Sequence, residues 1–144
     1  MILVRIFFAG PLTNLVDKEG TKAFYKQMAE VAEVNGFEHY WAFLHGTDPV
    51  RNPKVSPQKV YATDIRELGK SDLMIAYVGE PTTGTGQEIE FAKQRNIPVY
   101  LIFEKGTHVT RMTLGSPNIK GLIVFTGKRD GLSKLDALLK TLRK

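Results

Sequence analysis

The chain has 144 residues, 42% of them hydrophobic and 24% charged, the composition of an ordinary globular protein with one core. It has no cysteine, which excludes disulfides and thiolate metal sites, and no apolar run near the roughly 18 residues of a membrane span. The net charge of +5 is modest, and no basic stripe interleaved with aromatics argues for a nucleic-acid groove.

Three scattered histidines, His39, His45 and His108, lack metal-ligand spacing, so neither a metal nor another cofactor is expected. The basic residues gather toward the C-terminal part and read as a solvated helix face. The expected partner is a small molecule, with no nucleic acid and no membrane. The lack of cysteine is compatible with a reducing cytoplasm, the expected location.

Strand and helix signals then alternate along the chain. Residues 2–8 form an apolar run broken by Arg5, as in a strand buried on both faces, and lack the charged start and cleavage site of a signal peptide. Ala9-Gly10-Pro11 turns out of it. Residues 21–34 carry apolar side chains at helical spacing, and Asn35-Gly36 is the stop signal. The aromatic-rich residues 37–43 read as a second strand, and residues 44–55 as the longest loop.

Ser56-Pro57 supplies an N-cap and a first-turn proline for a helix over 57–69. A strand at 73–78 runs into the glycine-rich loop Gly79-Glu80-Pro81-Thr82-Thr83-Gly84-Thr85-Gly86, which opens a helix over 87–94 with Glu88 in its first turn. A strand at 98–103, a short helix within 106–114, a strand at 121–126 and an amphipathic helix over 131–142 follow. This alternation predicts an α/β, flavodoxin-like (Rossmann-like) domain spanning 1–144: a five-stranded parallel sheet with helices on both faces. Both glycine loops follow strand ends, so they should meet at one edge of the sheet, where such folds bind ligands.

The glycine loop admits two readings. Glycines let a ligand approach the backbone, and helix-start N–H groups favour an anion such as phosphate. Alternatively, the segment is a plain turn whose Glu88 complements the helix dipole. Asp64, mid-helix, is a weak helix former that either faces solvent or has a site role. Asp72 precedes a strand, where turn chemistry alone explains it. Glu90 lies about 200° around the helix from Glu88, so the two do not share a face.

Four segments together resemble the nucleoside 2-deoxyribosyltransferase-like superfamily, closest to its 2'-deoxynucleoside 5'-phosphate N-hydrolase branch. They are Ile6-Phe7-Phe8-Ala9-Gly10-Pro11-Leu12; the Asp64 helix with Ser71-Asp72-Leu73; Pro81-Thr82-Thr83-Gly84-Thr85-Gly86-Gln87-Glu88; and residues 106–115 with Val109-Thr110-Arg111-Met112. The resemblance implies that Glu88 is the nucleophile at C1' and that Asp64 contacts sugar and base and assists the leaving base. It implies a 5'-phosphate at Thr82, Gly84 and Gly86, with Phe7 and Gly10 lining the substrate site. It also implies a homodimer in which Thr110 reaches the neighbouring subunit's site.

Two positions depart from that family. Phe7 stands where a tyrosine hydroxyl is usual, a role that Tyr61 or Tyr77 could take over, and Thr13 stands where some hydrolases have an arginine near the phosphate. The leading expectation is a nucleotide N-glycosidase releasing free base and (deoxy)ribose 5-phosphate. A deoxyribosyltransferase acting on free nucleosides is the alternative, and a non-catalytic nucleotide-binding domain a third. A cytokinin-activating-type phosphoribohydrolase is only loosely echoed. The residues fit an N-glycosidase, since an oxocarbenium-like state needs one carboxylate at C1' and a second acid for the departing base.

Overall fold

In the computed structural model, which describes residues 5–143, five parallel strands lie in the order β2-β1-β3-β4-β5. They are β1 (Arg5–Ala9), β2 (Glu38–Tyr40), β3 (Leu73–Tyr77), β4 (Val99–Glu104) and β5 (Ile119–Phe125). The helices are α1 (Lys18–Val34), α2 (Pro57–Gly69), α3 (Thr83–Gln94), α4 (Arg111–Leu114) and α5 (Lys128–Leu142). Residues 2–4 of the expected first strand lie outside the described residues.

Side-chain alternation along the strands separates two cores. Phe7, Met74, Ala76 and Leu101 pack with Leu68 of α2 and with Ile89 and Ala92 of α3. Ile6, Phe8, Ile75 and Ile123 pack on the opposite face with Phe24, Tyr25 and Met28 of α1 and Leu135 and Leu139 of α5. The sheet is thus covered on both faces, which explains why its strands read as continuous apolar runs.

Local signals set most boundaries. Ser56 accepts a hydrogen bond from the Lys59 amide, and Pro57 opens α2. Helix α1 ends with Gly36 at φ +81°; its amide bonds to the Glu33 carbonyl and the Phe37 amide to Ala32. That is a glycine-stopped C-terminus of the kind Asn35-Gly36 announces.

Two elements differ from expectation. The aromatic segment 37–43 divides into the three-residue edge strand β2 and a 3-10 turn at Ala42–Leu44. Only the first half of the glycine segment, residues 79–82, is a loop: Thr82 is the N-cap, and Thr83, Gly84, Thr85 and Gly86 already belong to α3. Glu88 therefore lies in the second turn. Burial of Thr85, Ile89 and Ala92 overrides the low helix propensity of the glycines.

Candidate active site

The strand order reverses between β1 and β3, so the chain departs in opposite directions from two adjacent carboxyl ends and leaves a crevice. A cavity of about 530 Å³ opens there. Phe7 and Gly10 line it from β1 and its exit, Asp64 and Tyr61 from α2, and Thr82, Gly84, Gln87 and Glu88 from the start of α3. The two glycine segments meet at one sheet edge. Gly86 and Thr110 do not line this cavity, and Tyr77 turns to the other face, against Phe24 and Tyr25.

Asp72 and Glu90 are also elsewhere. The Asp72 carboxylate accepts from the Arg5 amide, at the amino end of the strands. Glu90 is exposed and bonds along its own helix to Gln94 and Lys93. Among the described residues no cluster of three or more His, Cys, Asp or Glu could hold a metal ion. No described helix is long and apolar enough to cross a membrane.

Glu88 and Asp64 differ in environment. The Glu88 carboxylate accepts no hydrogen bond from any described residue. Burial, and secondarily the Asp64 charge, push its pKa up to about 8. Asp64 is also raised by burial, but two donors pull it back. The Tyr40 hydroxyl donates to its Oδ1 at 2.9 Å and the Thr47 hydroxyl at 3.1 Å. At neutral pH the proton of this pair thus favours Glu88, and Asp64 is the better-stabilised anion.

The glycines have different causes. At Gly10 an added Cβ would lie 2.6 Å from the Tyr25 hydroxyl, which donates to the Pro11 carbonyl. Packing therefore requires that glycine. At Gly84 a Cβ would meet nothing closer than Thr82 Oγ1 at 4.0 Å, and at Gly86 nothing at all. Neither has the positive φ that favours glycine. Thr82 makes no side-chain cap, which leaves the first-turn N–H groups of α3 without that acceptor.

A Methanosarcina barkeri protein provisionally named 2'-deoxynucleoside 5'-phosphate N-hydrolase is 33% identical over 118 residues, covering 79% of this chain and 70% of that relative. The chain belongs to this N-hydrolase branch of the nucleoside 2-deoxyribosyltransferase-like superfamily. A Syntrophotalea carbinolica protein of the same provisional name is 34% identical over 83 residues, a match spanning 56% of this chain and 55% of the relative. No protein-family model matches. A Clostridium botulinum CMP N-glycosidase has the same fold, with a TM-score of 0.73 at 23% identity over 93% of this chain and 98% of that one. A 2-deoxyribosyltransferase from Bacillus psychrosaccharolyticus gives 0.65 at 21% identity, over 92% and 96%.

Several cavity residues of this N-hydrolase relative escaped the sequence reading. Trp41 lines the wall, its ring stacked on Tyr25 at 4.3 Å and on Phe8 at 5.1 Å. Residues 45–55 form a strap whose Thr47, Pro49, Asn52, Pro53 and Val55 line the cavity. Asp48, fully buried, ties the strap to α1 through Lys22 Nζ at 3.0 Å and accepts from the Arg51 amide at 2.8 Å. The length of loop 44–55 was the one sequence signal for this wall. No Lys, Arg or His lines the cavity.

Proposed function

We propose that the protein is a nucleotide N-glycosidase that cleaves a (deoxy)nucleoside 5'-monophosphate to free base and (deoxy)ribose 5-phosphate. The observation that carries this reading is the meeting of Asp64 and Glu88 with the uncapped start of α3 in one cavity. The provisional names of the N-hydrolase relatives favour the same chemistry.

In this mechanism the apolar strap and Trp41 wall receive the base. Thr82, Gly84 and the first-turn amides of α3 hold the phosphate, while Gly86, which does not line the cavity, takes no part in holding it. Glu88 attacks C1' as the glycosidic bond breaks, forming a glycosyl ester. The departing base takes the single proton that the Glu88–Asp64 pair holds. Water then cleaves the ester at C1', and its released proton returns to the pair, so protons balance over the cycle. Phosphate binding far from the bond positions C1' over the carboxylate. The protein acts as a homodimer, with Thr110 of one copy completing the phosphate site of the other. Thr110 is exposed and does not line the cavity of its own chain, which favours that arrangement.

The test is a panel of deoxy- and ribonucleoside monophosphates beside the free nucleosides, scored for base release with and without an acceptor base. Monophosphates should be turned over far better than nucleosides, and dilution below dimer dissociation should lower that activity. A second reading has its own support: with no cation lining the cavity, a phosphate dianion meets only neutral donors from this chain. Base exchange on free nucleosides would establish a deoxyribosyltransferase instead.

Gly84 provides a second check with opposed readouts. Gly84→Ala should stabilise the protein by about 0.5–1 kcal/mol, because alanine is the better helix former. The same methyl should obstruct the phosphate and raise KM for monophosphates. Gly86→Ala should give the stability gain without the KM penalty. If Gly84→Ala leaves KM unchanged, the phosphate does not sit on this turn.

A further inference from the structure

Neither the two carboxylates nor the glycine segment accounts for the hydrogen bonds that converge on Asp64. Tyr40 pairs with Phe7 across β2 and β1, and the rings stack at 5.5 Å with 16° between their planes. His45 stacks on the Tyr40 ring at 4.8 Å. Two ring partners fix the direction of the Tyr40 hydroxyl, which reaches Asp64 Oδ1. Thr47 arrives from the strap and donates to that same oxygen. A carboxylate oxygen has two lone pairs, so Oδ1 is fully used, while Oδ2 accepts from no described residue.

We propose that Tyr40 and Thr47 are positioning residues for the N-glycosidase reaction, occupying Asp64 Oδ1 so that Oδ2 alone faces the substrate. This rests on the function proposed above. In that reaction the proton held by the pair passes from Glu88 to Asp64 Oδ2 as Glu88 becomes the nucleophile, and from Oδ2 to the departing base, and both donors hold the resulting anion. The arrangement also supplies a hydroxyl where position 7 lacks one: Phe7 contributes the ring face, and Tyr40 the hydroxyl, directed at Asp64. Thr47 further links the site to the strap, since its neighbour Asp48 is pinned by Lys22. The titratable groups facing Asp64 are Tyr40 from β2, Glu88 from α3 and Tyr61 from α2 itself, and no cationic side chain lines the cavity.

The experiment compares Tyr40→Phe, Thr47→Val and Thr47→Ser in the full chain. Tyr40→Phe keeps the stacked ring and removes only the hydroxyl. Tyr40→Phe and Thr47→Val should each lower kcat about ten-fold with KM nearly unchanged, the effect of one hydrogen bond to a charged group. The acid limb of the kcat profile should move to higher pH, because the anion loses a donor. Thr47→Ser, which keeps the hydroxyl, should restore both. In an Asp64→Asn background, Tyr40→Phe should cost nothing further.

An unchanged acid limb, a loss confined to KM, or full additivity with Asp64→Asn would overturn the assignment. Titration of the Asp64 carboxyl by 13C NMR needs no substrate. An upward shift in Tyr40→Phe would support the positioning role even if no monophosphate were hydrolysed, a result that would sink the functional reading alone. No shift would sink the positioning role.

Discussion

Glu88→Gln should lower kcat by about three orders of magnitude or more, equivalent to roughly 4 kcal/mol of transition-state stabilisation. The amide is nearly isosteric with the acid and accepts no new burden from the fold, since no described residue hydrogen-bonds to the Glu88 carboxylate. It can neither form the ester at C1' nor donate the proton that the pair carries. Single-turnover base release is the measurement, with far-UV circular dichroism to show that the fold is intact. Near wild-type release would remove Glu88 from the mechanism. In the wild type, activity should fall as pH rises through about 8, where the pair loses its proton.

The same substitution should make the protein more stable, and increasingly so with pH. Glu88 ionises near 4.5 when unfolded and near 8 when folded. A raised carboxyl pKa means the folded state binds the proton more tightly. The contribution of this group to stability is therefore complete below about pH 4.5 and is lost as pH rises to 8. Glutamine does not titrate and escapes the loss. At about 1.4 kcal/mol per pKa unit, Glu88→Gln should gain up to about 5 kcal/mol by pH 9 and little at pH 4. Urea denaturation at several pH values measures this directly. A constant difference between the two proteins would show that burial does not perturb Glu88.

The elements most legible in the sequence are those with local causes. Helix α2 was readable because Ser56, Pro57 and Gly69 act within a turn of their own positions. Asp64 and Glu88 stood out because acids at their positions in this pattern resemble a family. Residues 83–86 read as loop but are helical, because that state comes from Thr85, Ile89 and Ala92 packing on the sheet, which outweighs propensity. Segment 37–43 reads as a continuous strand, yet β2 pairs only along Arg5, Ile6 and Phe7 before the chain turns. Gly10 lines the cavity, and its small size also answers to a tyrosine fifteen residues later, which no local pattern announces. Tyr40 and Thr47 gave no signal at all. They lie 24 and 17 positions from Asp64, and only the sheet register and the strap bring them to it.

The strap separates the tasks of this cavity along the chain. Its wall residues from Pro49 to Val55 follow the Lys22–Asp48 tie, whereas the two carboxylates stand on α2 and α3. If the proposed reaction holds, loops exchanged between positions 49 and 55 should redirect which base is accepted while leaving bond cleavage in place. The boundary of such a graft is sharp. One that begins two residues earlier takes Thr47 with it, and so exchanges part of the support of Asp64 together with the wall.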